Sequence, residues 1–322
     1  MSIATALNAA PVLVDFPGLG IKGLPINRVA FEIFNIPVYW YGLLIASSII
    51  LSLLLAMRQS DRYGFKADDV MDVFIFMIPA MIVFARAYYV VFNWSYYRAD
   101  WTRIFNTREG GLAFYGGVIG ALLVSFLVLR YKKLSIPAFV DFLIVYVPLA
   151  QAIGRWGNFF NQEAFGTNTN LPWGMTSSST VAYLMNVPGV DPLKPVHPTF
   201  LYEFLGNLVI FVILLSLRRN RRFDWEVFLG YLFGYGLLRF FVEGIRTDAL
   251  MIGQTSLRVS QLLSAAMVIG SAIFLVVFSQ RTSKARAALA ASQAGFVEIE
   301  KPAAPAATSA APPESTQDDD VT

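Results

Sequence analysis

The chain has 322 residues, of which 56% are hydrophobic and only 15% charged, with a formal net charge of +3. Soluble domains are about 45–50% apolar and about 25% charged; with a mean hydropathy of +0.55 this sequence reads as an integral membrane protein. It has no cysteine and a single histidine, His197, which excludes disulfides, thiolate metal sites, a cysteine nucleophile and a histidine-rich metal centre. No metal or cofactor is expected.

Residues 1–36 are mixed in character, with Pro and Gly punctuation, and read as an interfacial or loosely ordered lead-in whose first basic residue is Lys22. That start lacks the charged n-region of a cleavable signal peptide. Seven apolar runs follow, at roughly 38–57, 70–92, 111–130, 137–155, 198–217, 225–245 and 257–279. Each is close to the ~20 residues that cross ~30 Å of hydrocarbon. One set of connections carries thirteen basic residues, in the groups Arg58 to Lys66, Arg130 to Lys133, Arg218 to Arg222 and Arg281 to Arg286. The opposite set carries seven, spread over longer segments. Because basic residues concentrate on the cytoplasmic side, the N-terminus is expected outside and the C-terminus inside. The expected fold is thus an all-α membrane protein with a seven-helix body over 37–280. The long connection at 156–196 would form a small extracytoplasmic head. Residues 281–322, rich in Ala, Pro and Ser and ending in an acidic run, read as a disordered cytoplasmic tail.

The fourth run closes on QAIGRWGNFFNQEAFG (151–166), which places Arg155, Asn158, Asn161 and Glu163 where lipid would reject them. An arginine at a helix centre costs about 2.5–3.5 kcal/mol on insertion scales, so such a residue faces protein or water unless it snorkels from a helix end. Other polar residues fall at the same depth. Tyr41 starts the first run, Arg86 lies in the outer third of the second, Tyr115 is one turn into the third, and His197 opens the fifth with Glu203 further in. On the sixth run Tyr235, Arg239 and Glu243 recur at i, i+4 and i+8, on one face. Arg239 with Glu243 alone could be a structural ion pair, but six helices converging on one depth point to a polar cavity with a surplus of cations. Its ligand is expected to be anionic, a phospholipid head group being at the right depth, and the rigid fork of arginine suits phosphate. Gly116, Gly117, Gly154 and Gly157 fit either close approach to a ligand or helix packing. Pro148 reads as a kink. A transporter or flippase is the rival reading, though it should place polar groups at the bilayer midplane on broken helices, and neither is evident.

Five signatures occur in order: VYWYGLL (38–44), ARAYYVVFN (85–93), REGGLAFYGGVIG (108–120), GRWGNFFNQEAFG (154–166) with HPTFLYE (197–203), and GLLRFFVEGIRTD (236–248). With these the sequence resembles the bacterial prolipoprotein diacylglyceryl transferases over residues 31–280. The resemblance implies a multi-pass protein of the bacterial cytoplasmic (inner) membrane. It would move the sn-1,2-diacylglyceryl group of phosphatidylglycerol onto the lipobox cysteine of preprolipoprotein signal peptides, releasing glycerol phosphate. Its partners would be those two substrates and membrane lipids, with no nucleic acid. Family functional positions fall on Tyr41, Arg155, Asn158, Glu163, Gly166, Tyr235, Arg239 and Glu243. Arg86, Asn161, Glu203 and Arg246 complete the expected substrate contacts. Arg155 and Arg239 would clamp the phosphate with help from Asn158, and Glu243 would orient Arg239. His197 and Glu163, with Glu203 third, are the candidates for removing the thiol proton. One departure stands out: well-studied members carry histidine in a Phe-His-Gly-Gly signature where this chain has Tyr115. Tyr115 is expected to donate a hydrogen bond to substrate in its place, and an inactive lipid-binding paralogue is a further alternative.

Overall fold

The apolar runs fold into seven helices long enough to cross a bilayer in the computed structural model, which describes residues 11–107, 110–252, 255 and 257–299. In chain order the helices of seven residues or more are α1 (Trp40–Gln59), α2 (Ala67–Phe92), α3 (Phe114–Tyr131), α4 (Ile136–Leu143), α5 (Tyr146–Asn161), the short α6 (Ser178–Leu184), α7 (Thr199–Arg219), α8 (Glu226–Ile245) and α9 (Val259–Ile299). The fourth span is the α4–α5 pair. Proline has no N–H to give the carbonyl four residues back. Pro148 therefore leaves the carbonyl of Ile144 without its helical bond, and Val147 N–H takes it instead at 3.1 Å. Beyond this break α5 continues to Asn161, past the expected end at 155, and stops where Gln162 turns left-handed (φ 54°). Arg155 and Asn158 consequently sit inside a helix and are not fraying at its end.

The mostly helical chain also contains strands, which the all-α expectation omits. The lead-in holds β1 (Val12–Phe16), β2 (Ile21–Ile26), β3 (Val29–Ile33) and β4 (Ile36–Tyr39), and the long connection adds β5 (Thr176–Ser177). β1 pairs antiparallel with both β2 and β5, in the order β2-β1-β5. The lead-in and the connection thus share one apolar core, with Val14, Met175 and Val196 fully enclosed beside Phe159 and Phe200. β3 and β4 form a separate hairpin, its two-residue turn made by Phe34 and Asn35 at positive φ, the geometry that matches strand twist.

Helices α2 and α3 meet along a glycine seam. A Cβ on Gly116 would lie 2.4 Å from the carbonyl oxygen of Phe84, and one on Gly120 would lie 2.7 Å from that of Ala80. This is small-residue packing of membrane helices, which settles the role of Gly116 in favour of packing. At the other end of the bundle an aromatic core of Phe65, Phe139, Phe142 and Tyr146 is joined by the buried Arg218, whose guanidinium lies 4.4 Å over the Tyr63 ring. Two units divide the chain, Met1–Phe278 and Ser279–Thr322. In the second, α9 continues as helix to Ile299, where a disordered tail was expected from 281. Residues 300–322 of that tail lie outside the described residues.

Candidate active site

Helix α5 aligns Gln151, Arg155 and Asn158 at i, i+4 and i+7, so the three share a face. That face lines a cavity of about 440 Å³ together with Tyr41 and Ser48 of α1, Phe114 of α3 and Tyr235 of α8. Tyr41 can lie against α5 because position 157 is glycine: a Cβ there would stand 2.5 Å from Cδ2 of the Tyr41 ring.

Behind Arg155 lies a closed set of charges. Glu203, on α7 and 2% exposed, is in ionic contact with Arg155 Nε through Oε2 and accepts from Arg239 Nη1 at 2.8 Å through Oε1. Arg246 Nη1 stands 3.8 Å from the same Oε1. Arg239 also reaches Glu243, at 2.6 Å from its Nη2 to Oε2. The Oε2 atoms of Glu203 and Glu243 are close to their arginines without hydrogen-bond alignment, so Coulomb attraction holds them. Arg246 is held in turn by Asp248, to which Nε and Nη2 donate at 2.8 and 2.6 Å. Burial would raise the Asp248 pKa, but the Arg246 hydrogen bonds and charge outweigh it and bring the carboxyl below its ordinary value. Three guanidinium groups face three carboxylates. Arg155, Arg239 and Arg246 are therefore each partnered by a carboxylate at rest.

The cavity rim carries a second chain of contacts. Arg155 Nη1 donates to Asn158 Oδ1 at 3.2 Å, and Asn158 Nδ2 donates to Glu163 Oε1 at 2.8 Å. Asn161 Nδ2 donates to that same oxygen at 3.3 Å. One amide thus joins a guanidinium facing the cavity to an exposed carboxylate.

A family model described as prolipoprotein diacylglyceryl transferase matches residues 28–277. The chain belongs to the prolipoprotein diacylglyceryl transferase family. It is similar to a phosphatidylglycerol–prolipoprotein diacylglyceryl transferase of Clostridioides difficile, 45% identical over 255 residues that cover 79% of this chain and 96% of the relative. A protein of the same name from Finegoldia magna is 42% identical over 259 residues, 80% of this chain and 98% of that one. A third, from Bacillus cereus, is 41% identical over 254 residues, 78% and 92%. The chain is therefore a transferase of lipoprotein biosynthesis, and its seven apolar helices make it a multi-pass membrane protein.

Several residues of this transferase lie elsewhere than the sequence suggests. Arg86, expected to touch substrate, spends all five N–H groups on backbone carbonyls: Ile104 from Nε, Gly110 and Gly111 from Nη1, Arg103 and Asn106 from Nη2, at 2.7–3.0 Å. It is 8% exposed and clamps the loop between α2 and α3, with no donor left for a ligand. Tyr115 is 63% exposed and does not line the cavity, whereas its neighbour Phe114 does. Gly166 is a backbone junction: its N–H donates to the His197 carbonyl, it bridges to Arg246, and a Cβ would stand 2.6 Å from His197 Cβ. His197 is outside the cavity too. Trp173 Nε1 donates to Tyr202 Oη at 2.8 Å, and that hydroxyl is hydrogen-bonded to His197 Nδ1 at 2.9 Å. Burial lowers the His197 pKa below the ordinary value, which makes the imidazole a weaker base than a free one.

Other residues matter more than their sequence context indicated. Glu203, ranked only third as a base, is the point where three arginines meet. Arg258, at the start of the seventh span, donates through Nη1 to the carbonyls of Glu243 and Arg246 and so fixes the end of α8. A lone arginine at the foot of an apolar run was the available signal. Gln151, a turn below Arg155, signalled itself as the first amide in the span.

Proposed function

We propose that this transferase moves the sn-1,2-diacylglyceryl group of phosphatidylglycerol onto the lipobox cysteine of a preprolipoprotein signal peptide, within its 37–280 body, at the outer face of the bacterial cytoplasmic membrane. The observation that carries this reading is the amide of Asn158, bonded at once to Arg155 and to Glu163. It couples an anion-binding group to an acid–base group across the distance of one side chain.

In this reading the lipid phosphodiester lies in the cavity against Arg155, with Tyr41, Asn158 and Tyr235 as hydrogen-bonding neighbours. Arg239, joined to Arg155 through Glu203, supplies the second positive charge of the clamp, and Glu243 orients it. The peptide thiol gives its proton to Glu163. The sulfur then attacks the glycerol carbon that bears the phosphate ester. A C–S bond forms, the C–O bond breaks, and its electron pair leaves on the phosphate oxygen as glycerol phosphate. Negative charge gathers on that phosphate in the transition state, where preorganised donors each contribute about 10²–10³-fold in rate. The distribution of basic connections supports an N-terminus outside and a C-terminus in the cytoplasm.

The test mixes purified protein with labelled phosphatidylglycerol and a lipobox peptide. The expected result is release of glycerol phosphate with a matching gain of one diacylglyceryl group in peptide mass. Lipid movement between leaflets without either product would refute the reading.

A further inference from the structure

A second cavity, of about 620 Å³, adjoins the first and shares Tyr41 with it as a wall. It is lined by Arg28, by Val38 and Tyr39 of β4, by Gly42 at the start of α1, by Asn161 at the end of α5 and by Glu163 just beyond it. The Asn158–Glu163 hydrogen bond connects the two, because Asn158 lines the first cavity and Glu163 the second.

Gly42 gives this space an independent mark. Glycine in a helix costs roughly 0.5–1 kcal/mol relative to alanine, so it is usually there for backbone conformation or close packing. Neither applies. Gly42 is within α1 and is not among the positive-φ residues, and a Cβ on it would meet no heavy atom within 4 Å. Gly157 on the facing helix differs, since its missing side chain is filled by Tyr41. The space above Gly42 is open to the cavity, and a side chain there would occupy it.

We propose that this second cavity seats the acceptor peptide: an extended backbone segment with small side chains, carrying its cysteine toward Glu163. The proposal rests on the reading that the chain alkylates a peptide thiol. Three features select that occupant. The volume lies within the ~300–1,000 Å³ of ordinary ligand sites. The lining mixes apolar groups with Arg28, Asn161, Gln162 and Glu163, which offer a peptide backbone both donors and acceptors. The outer edge of β4 bears no strand among the described residues, and an unpaired edge is a common seat for an extended peptide. Lipid and peptide would then occupy separate cavities that meet at Tyr41 and are linked by the Asn158–Glu163 hydrogen bond, with thiol and phosphate on either side of the carbon to be transferred.

Gly42→Leu tests this in the full-length protein, with KM measured separately for a lipobox peptide and for phosphatidylglycerol in mixed micelles. The expected result is a rise of about tenfold or more in peptide KM, with lipid KM within about twofold of the parent. An unchanged peptide KM, or a rise confined to the lipid, overturns the proposal. A second measurement does not depend on that variant folding. A peptide with a photoreactive residue next to its cysteine should crosslink to 36–42 and 161–163 of the unaltered protein, and crosslinks found only elsewhere overturn the proposal. Failure of the underlying reading is distinct from both, since the unaltered protein would then make no lipidated peptide.

Discussion

Removing the Glu203 carboxylate is the sharpest perturbation of the charge set behind the cavity. Glu203→Ala would leave Arg155 and Arg239 without the group they share, and Arg246 without its neighbour at 3.8 Å. Glu203 is 2% exposed, and the arginine side chains are 21%, 18% and 13% exposed, so solvent screens them little. Breaking a buried pair by deleting one partner costs about 3–5 kcal/mol. Unfolding of the detergent-solubilised protein should therefore move down by that order, and turnover should fall at least about 10²-fold as Arg155 loses its fixed position. An isosteric change separates charge from volume. Glu203→Gln keeps the size of the side chain and removes only its charge, and it leaves the Arg239–Glu243 pair intact. This variant should recover part of the stability lost in Glu203→Ala while remaining slow. If Glu203→Ala kept its stability within about 1 kcal/mol and its turnover within about threefold, the assignment of Glu203 as the point that holds the arginines would be wrong.

Arg86→Lys should loosen the loop between α2 and α3, because an ammonium cannot serve the five carbonyls that the guanidinium serves; limited proteolysis should show new cleavage between 98 and 107. Tyr115→Phe should retain turnover within about threefold, since the phenol lies outside the cavity; a loss as deep as that of Arg155→Ala would make it a catalytic residue and refute this placement. The folded pKa of His197 is held below its unfolded value near 6.5, so the unfolded chain binds more protons in the window between them. Its contribution to stability is complete above about pH 6.5 and declines as pH falls toward the folded pKa, and His197→Gln should flatten that part of a stability-versus-pH curve.

Much of this arrangement was legible in the sequence for a plain reason. Runs of about 20 apolar residues have one stable outcome in a bilayer, and Arg155, Asn158 and Tyr235 declared themselves by being polar within such runs. What the sequence withheld was pairing across distance. The carbonyls bound by Arg86 lie 17 to 25 residues away in an irregular loop, a destination that no local periodicity encodes. Glu203 is one carboxylate among aromatic and aliphatic neighbours on α7, and its weight comes from arginines on α5 and α8. The strands were missed because they are short and largely exposed, and because β1 finds β5 more than 150 residues later. Pro148 was visible as a kink, yet the continuation of α5 past position 155 to Asn161 required the three-dimensional hydrogen bonds.

The balance of three guanidinium groups against three carboxylates bears on how the catalytic cycle closes. In the proposed reaction a phosphodiester would bring one negative charge into the cavity, and the glycerol phosphate that leaves would carry up to two. A site with three unopposed arginines would bind that product more tightly than the substrate and stall with it in place. Because Glu203, Glu243 and Asp248 already claim the arginines, the second charge on the product meets carboxylates waiting to resume their contacts. Ejection of the spent head group and re-formation of the resting ion pairs are then one event. Product inhibition by glycerol phosphate should be weak in the parent protein and become marked when Glu243 is neutralised.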